Sequence, residues 1–142
     1  MQAVQTSLPA DIAIFTAAVA DWKVAGVAPE KIKKQGDGSL PVLAFAENPD
    51  ILRSIALSTT QRPRIVVGFA AETEKVLDHA KAKLAKKGCD LIVANDVSPE
   101  GGVFGGDKNT VHLVSSSGVE TWPQLSKAEV ASRLINRLAG ML

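Results

Sequence analysis

Apolar positions along this chain fall into short blocks whose spacing changes from one block to the next. Asp11-Ile-Ala-Ile-Phe-Thr-Ala-Ala-Val19 is apolar almost throughout, the pattern of a strand covered on both faces. Arg64-Ile-Val-Val-Gly-Phe-Ala70 and Asp90-Leu-Ile-Val-Ala94 repeat it. Between them, Glu72 to Lys87 switches to helical spacing, with Val76, Ala80 and Leu84 on one stripe and Gly88 as the stop. Strand, helix and strand in this order predict a right-handed parallel crossover. Gln2 to Ser7 reads as the last turns of a helix stopped by Pro9, so the chain opens inside a helix with no strand before it.

Pro41 to Ala46 is a short strand candidate, and Asn48-Pro49-Asp50 has the chemistry of a helix start. Asn caps free amides, Pro fits the first helical position, and Asp favours the positive end of the dipole. That helix is expected to run to about Ser58. Asn109 to Val114 and Val119 to Trp122, joined by Ser115-Ser-Ser-Gly118, predict an antiparallel hairpin. Ser126 with Glu129 forms a capping box for a last helix to about Leu138, its stripe being Val130, Leu134, Ile135 and Leu138. Asp21 to Leu40 has no steady period and carries Gly26, Pro29, Gly36 and Gly38 with Lys23, Lys31, Lys33 and Lys34, the mark of a functional or disordered loop. The elements add up to one α/β sandwich domain over residues 1–142, with a mainly parallel sheet and an antiparallel edge hairpin, and no repeat or low-complexity tract.

Composition narrows the classes. With 142 residues, 46% hydrophobic and 22% charged, the chain has the make-up of a folded domain rather than a disordered tail. Lys and Arg number 16 against 15 Asp and Glu, a net charge of +1, so no global field attracts nucleic acid or an anionic membrane, and any anion site is local. No apolar run approaches the roughly 20 residues that cross a bilayer. A single cysteine, Cys89, excludes an internal disulfide, and no secretory leader precedes the first strand, so a cytoplasmic location is expected.

Ligands of open parallel sheets bind beyond the carboxyl ends of the strands. Three loops qualify: Ala20-Asp21-Trp22, Ala71-Glu72-Thr73 and Asn95-Asp96. Asp21 and Asp96 could hold a hydroxyl or a divalent cation, or serve as turn and capping residues. The small run Ala17 to Ala20 would let a ligand approach the backbone, or it answers a packing need. Lys83 and Lys87 stack four residues apart, on or beside the apolar stripe of their helix. Either a polyphosphate lies between them, or both snorkel and complement the helix dipole. Lys31, Lys33 and Lys34 are a solvated loop or a cationic loop able to fold over a triphosphate. No G-x-x-x-x-G-K-[ST] or G-x-G-x-x-G motif is present, and Gly101-Gly-Val-Phe-Gly-Gly106 precedes a strand signal. His79 and His112 lack partners at zinc spacing. Cys89 is expected to act as a small hydrophobe.

Five segments, Ala17-Ala-Val-Ala-Asp-Trp22, Lys31-Ile-Lys-Lys34, Asn48-Pro-Asp-Ile-Leu52, Val67-Gly-Phe-Ala-Ala-Glu-Thr73 and Asp90-Leu-Ile-Val-Ala-Asn-Asp-Val97, closely resemble bacterial phosphopantothenoylcysteine synthetase. The resemblance continues through Asn109 and implies a three-layer Rossmann-like sandwich that lacks the family's opening strand and glycine- and serine-rich loop. It implies CTP-dependent ligation of 4'-phosphopantothenate to cysteine with Mg2+, in coenzyme A biosynthesis. Thr16, Ala17 and Asp21 would line the nucleotide site, with Asp21 a candidate for Mg2+. Lys31 would be a catalytic lid lysine. Ala46, Glu47, Asn48 and Pro49 would frame the cytosine, and Phe69, Lys83 and Lys87 would complete the pocket. It further implies a homodimer and fusion to an FMN-dependent decarboxylase half. Without its opening segment the chain is expected to keep nucleotide contacts and lack ligation by itself. The competing expectation is a non-catalytic nucleotide-binding or assembly module.

Overall fold

The computed structural model describes residues 1–26, 30, 42–97 and 108–142. These divide into two compact units, Met1–Thr16 with Ile51–Leu142, and Ala17–Asp50. The first unit opens with α1 (Gln2–Thr6), close to the expected helix. The strand expected over Asp11 to Val19 is shorter, Ile12–Phe15 (β1). Beyond Thr16 the side chains are mostly alanine, which offers a sheet little apolar area to bury, and the chain leaves the ladder.

Within the second unit, Trp22–Val24 (β2) and Phe45–Glu47 (β3) pair antiparallel, with Trp22 opposite Glu47 and Lys23 opposite Ala46. Strand β2 falls where a loop was expected, and β3 replaces the strand expected over Pro41 to Ala46. Trp-Lys-Val carries β-favouring residues at both ends, too short a stretch to announce itself by period.

The chain returns to the first unit at α2 (Ile51–Ala56), shorter than the helix expected from Asn48 to Ser58. Asn48 is not its cap, because the helix starts at Ile51, three residues on, and the Asn48 side-chain amide instead donates to the Ala20 carbonyl at 2.8 Å. Strand β4 (Ile65–Glu72) follows, then α3 (Val76–Lys87) and β5 (Leu91–Asp96). Helix α3 begins four residues later than expected because Glu72 is still in the ladder opposite Asp96, and Lys75 turns the chain with φ of 47°. Gly88, at φ of 68°, ends α3 in the left-handed region and donates its N–H to the Leu84 carbonyl at 3.0 Å. Then come β6 (Lys108–Asn109), β7 (Val111–Ser115), β8 (Gly118–Thr121), β9 (Leu125–Ser126) and α4 (Lys127–Ala139).

Five strands form one sheet in the order β1-β4-β5-β7-β8, parallel from β1 to β5 and antiparallel thereafter, which is the expected parallel core with an edge hairpin. Alternation along each strand sends Val67, Leu91, Val93 and Leu113 to one face, under Val130, Leu134 and Leu138 of α4. Val66, Ala70, Ile92 and Val114 go to the other, under Ile55 and Ala56 of α2 and Ala80 of α3, with Cys89 buried among them. Three layers result. Ile135 does not join the α4 stripe: it is 55% exposed, about a quarter turn off the line through Val130, Leu134 and Leu138. At Gly68 a Cβ would lie 2.5 Å from Leu52 Cδ2 and 2.9 Å from Ile92 Cδ1, so a larger residue would push these side-chain ends aside where α2 meets β4. Asp90 ties the strand starts together, accepting from Arg62 Nη2 at 3.0 Å and from the Val66 N–H at 2.7 Å.

Candidate functional site

The α4 face ends at the carboxyl edge of the sheet in residues that are no longer purely aliphatic. Following the alternation, Ile12 and Ile14 lead to Thr16, Ile65 and Val67 lead to Phe69, and Leu91 and Val93 lead to Asn95. Thr16, Phe69 and Asn95 line one cleft of about 380 Å³ together with Ile14, Asn109, Lys127 and the α4 side chains Val130, Ala131, Leu134 and Ile135. Asn109 reaches it because β6 pairs with β9, placing Asn109 opposite Leu125 just before α4. The Oδ1 atoms of Asn95 and Asn109 are both out of solvent and have no hydrogen-bond partner among the described residues. Buried amides are ordinarily bonded, so two orphans on one cleft are a departure from normal packing.

The second unit assembles a different group. The Asn48 N–H donates to the Asp21 carbonyl at 2.8 Å, and its side-chain amide holds Ala20. One asparagine therefore fixes the turn that presents Asp21, while the β2–β3 ladder places Ala46 and Glu47 directly before it. Ala17 and Pro49 belong to the same unit, and both are exposed. Asp21, Ala46, Glu47 and Asn48, four residues that the resemblance points to, thus come together through local pairing.

Lys83 and Lys87 stand elsewhere. Both are half-buried on α3, whose stripe of Val76, Ala80 and Leu84 packs on the sheet face opposite to Phe69 and the cleft. At 1.5 Å per residue they lie roughly 10 and 16 Å along the helix from Val76, toward the amino end of β5. Lys31, with Lys33, Lys34 and the Gly101 to Gly106 segment, lies outside the described residues. Asn95 was singled out in sequence only as part of a strand-end loop, and Asn109 and Lys127 not as ligand contacts. The missing signal is long-range: strand alternation alone could have put Asn95 beside Phe69, but nothing local joins Asn109 to either.

Among the described residues two titratable groups are shifted. Hydrogen bonds from the Ser126 hydroxyl and N–H hold the exposed Glu129 carboxyl below the usual carboxylate range, which anchors α4 at the mouth of the cleft. Burial pushes the Cys89 thiol up, in keeping with a packing role. Glu72 Oε2 lies 3.0 Å from His79 Nδ1, an ion pair when the imidazole is protonated. Among the described residues no group of three or more His, Cys, Asp or Glu side chains could hold a metal ion, and no helix is long and apolar enough to cross a membrane.

Residues 1–141 match the family model described as the DNA/pantothenate metabolism flavoprotein C-terminal domain. The chain is 40% identical over 132 residues, 93% of its length, to the coenzyme A biosynthesis bifunctional protein CoaBC of Vibrio vulnificus, covering 33% of that protein. It is 44% identical over 126 residues to CoaBC of Escherichia coli K12, 88% of this chain and 30% of the relative. The chain thus spans about a third of the length of these curated relatives. Among solved structures, the C-terminal domain of CoaBC superposes with a TM-score of 0.71 at 29% identity, over 99% of this chain and 59% of that one.

Proposed function

The chain belongs to the DNA/pantothenate metabolism flavoprotein C-terminal domain family, and we infer from that membership that it serves coenzyme A biosynthesis as the nucleotide-binding part of a phosphopantothenate–cysteine ligase. The observation that carries the reading is the extent of the family match, residues 1–141, which runs through every motif of the resemblance. The relatives' names supply the pathway. The proposed reaction uses CTP. The carboxylate of 4'-phosphopantothenate attacks the α-phosphorus, pyrophosphate leaves, and the cysteine amine then displaces CMP from the acyl cytidylate to form the amide. Splitting amide formation into two displacements leaves the protein mainly with positioning and charge neutralisation.

Local pairing within the Ala17–Asp50 unit supports one such role. Asp21, whose backbone lies on a turn pinned by Asn48, offers a nucleotide one acidic side chain. A magnesium ion carried on a triphosphate takes most of its ligands from phosphate and water, so a single carboxylate fits it, and Asp21 would be the residue to hold it. Lys83 and Lys87 are retained as proposed phosphate contacts and Lys31 as the proposed lid lysine, with a homodimer, a cytoplasmic setting and a fused FMN-dependent decarboxylase half completing the assembly. Calorimetry of the 142-residue chain with CTP, ATP and GTP in the presence of Mg2+ tests the reading. Preferential binding of CTP is expected, and a folded sample that treats the three alike would sink it.

A further inference from the structure

The row on α3 that holds Lys83 and Lys87 has a third member. His79, Lys83 and Lys87 follow at four-residue intervals, so their side chains stack along one side of the helix over about 12 Å of its length. His79 stands at the end of the row next to the carboxyl edge of the sheet, because α3 starts there, soon after β4. Its ring is held in place. Nδ1 lies 3.0 Å from Oε2 of Glu72, the last residue of β4 and three positions beyond Phe69, and Nε2 has no hydrogen bond among the described residues. Glu72 in turn stands opposite Asp96 on β5, so two carboxylates end neighbouring strands beside the imidazole. Cationic groups four apart on a helix repel one another, and an anion shared along the row removes that repulsion.

We propose that His79 is a third phosphate contact of this row, its protonated ring donating from Nε2 to a phosphate oxygen of the nucleotide while Glu72 holds Nδ1. The proposal rests on the ligase reading, which makes Lys83 and Lys87 phosphate contacts. Those two lysines stand toward the amino end of β5, and His79 carries their row to the edge where Phe69 lies. A protonated imidazole donates from both nitrogens, one toward Glu72 and one outward. A neutral ring that donates to Glu72 through Nδ1–H shows a phosphate only the lone pair of Nε2, so binding is expected to weaken as pH rises. Other charged or titratable groups surround α3. Glu72 and Asp96 come from β4 and β5, His112 from β7 is bonded to Thr121 Oγ1 at 2.9 Å, and Arg53 from α2 donates to the Lys86 carbonyl at the far end of the helix. On α3 and its cap, Lys75, Asp78 and Lys83 are the neighbours of His79. The test must therefore separate His79 from all of them.

Calorimetry on the 142-residue chain decides it, with CTP and Mg2+, inorganic tripolyphosphate and cytidine as probes at roughly pH 6 and pH 8. The variants are His79→Gln, His79→Lys and Lys81→Gln, each with a melting curve to show that it is folded. At the lower pH, His79→Gln is expected to weaken CTP and tripolyphosphate about fivefold and to leave cytidine as it was. His79→Lys keeps a charge in the row at both pH values, so it should bind both phosphate probes well throughout, which a merely structural histidine would not bring about. The difference between wild type and His79→Lys also cancels the titration of the phosphates themselves. Lys81, two residues before Lys83 and so on the far side of α3, controls for net charge, and Lys81→Gln should change little. Wild-type affinities in His79→Gln overturn the proposal, as does an equal loss in Lys81→Gln or a folded wild type that ignores tripolyphosphate. Preference for CTP with His79→Gln unaffected leaves the ligase reading standing without this contact. The expected pattern with tripolyphosphate, in a chain that treats CTP, ATP and GTP alike, keeps the contact and removes the ligase reading.

Discussion

The two tryptophans divide the molecule. Trp122 is 1% exposed, donates its indole N–H to Glu120 at 2.7 Å, and has the Arg133 guanidinium 4.6 Å from its ring centroid. Trp22 is 59% exposed on a ribbon whose Phe45 is also 63% exposed. The sheet unit is organised by burial: two apolar clusters fill its faces, and each strand's alternation feeds one or the other. Among the described residues of Ala17–Asp50, none is buried, and what orders that ribbon is backbone pairing plus Asn48. A two-stranded ribbon is marginal by itself, and burial among its described residues adds nothing to hold it. Stability resides in one region, and four of the proposed nucleotide contacts, Asp21, Ala46, Glu47 and Asn48, gather in the other.

Replacing the two tryptophans is the strongest way to break that contrast. Trp122→Ala is expected to cost about 3–5 kcal/mol, enough to unfold a marginal domain at ordinary temperature. Trp22→Ala should stay within about 0.5 kcal/mol, as at other exposed sites. Paired thermal or urea melts check both, and similar losses for the two would show that the ribbon carries a share of the folding energy.

Smaller effects sharpen the picture inside the sheet unit. Asp90→Ala removes the acceptor shared by Arg62 and the Val66 N–H, and about 1.5–3 kcal/mol should go with it in urea melts. Ser126→Ala dismantles the capping box of α4 and is expected to cost about 1 kcal/mol. That cap carries a pH signature. Glu129 is held below its unfolded value, so its contribution is present above the unfolded carboxylate range and disappears as pH falls through the lowered folded value. Wild type should therefore lose more stability than Ser126→Ala between roughly pH 5 and pH 3. Parallel slopes for the two would contradict this account of the cap.

How much of this could be read beforehand follows the same division. Where burial organises the chain, pattern suffices: the apolar runs at Arg64 to Ala70 and Asp90 to Ala94 become β4 and β5, and Ser126 caps α4 through Glu129 as its spacing announces. Legibility fails where order comes from a distant partner. Asn48-Pro49-Asp50 looks like a helix start, yet Asn48 is engaged 28 positions back at Ala20. Glu72 has helix-first-turn chemistry but is kept in β4 by Asp96 on the neighbouring strand. The cleft combines both cases, since Phe69 and Asn95 follow from alternation while Asn109 arrives through the short β6–β9 pairing.

The smallest expected stability effect tests the ribbon's purpose. Asn48 makes two bonds there, through its main chain to the Asp21 carbonyl and through its side chain to that of Ala20, each at 2.8 Å. Asn48→Ala keeps the first and deletes the second. Because no described residue of that unit is buried, the Ala20 carbonyl can turn to water, and the melt should move by no more than about 0.5 kcal/mol. The turn carrying Asp21 nevertheless loses one of its two ties, and a contact that must be pre-positioned to bind a nucleotide then pays the ordering cost on binding. Affinity for CTP with Mg2+ is expected to fall severalfold while the melting curve stays in place, a separation that calorimetry and circular dichroism on one sample can read. A drop in melting temperature with unchanged CTP affinity would reverse the assignment, making Asn48 a structural tie and moving nucleotide recognition away from the ribbon.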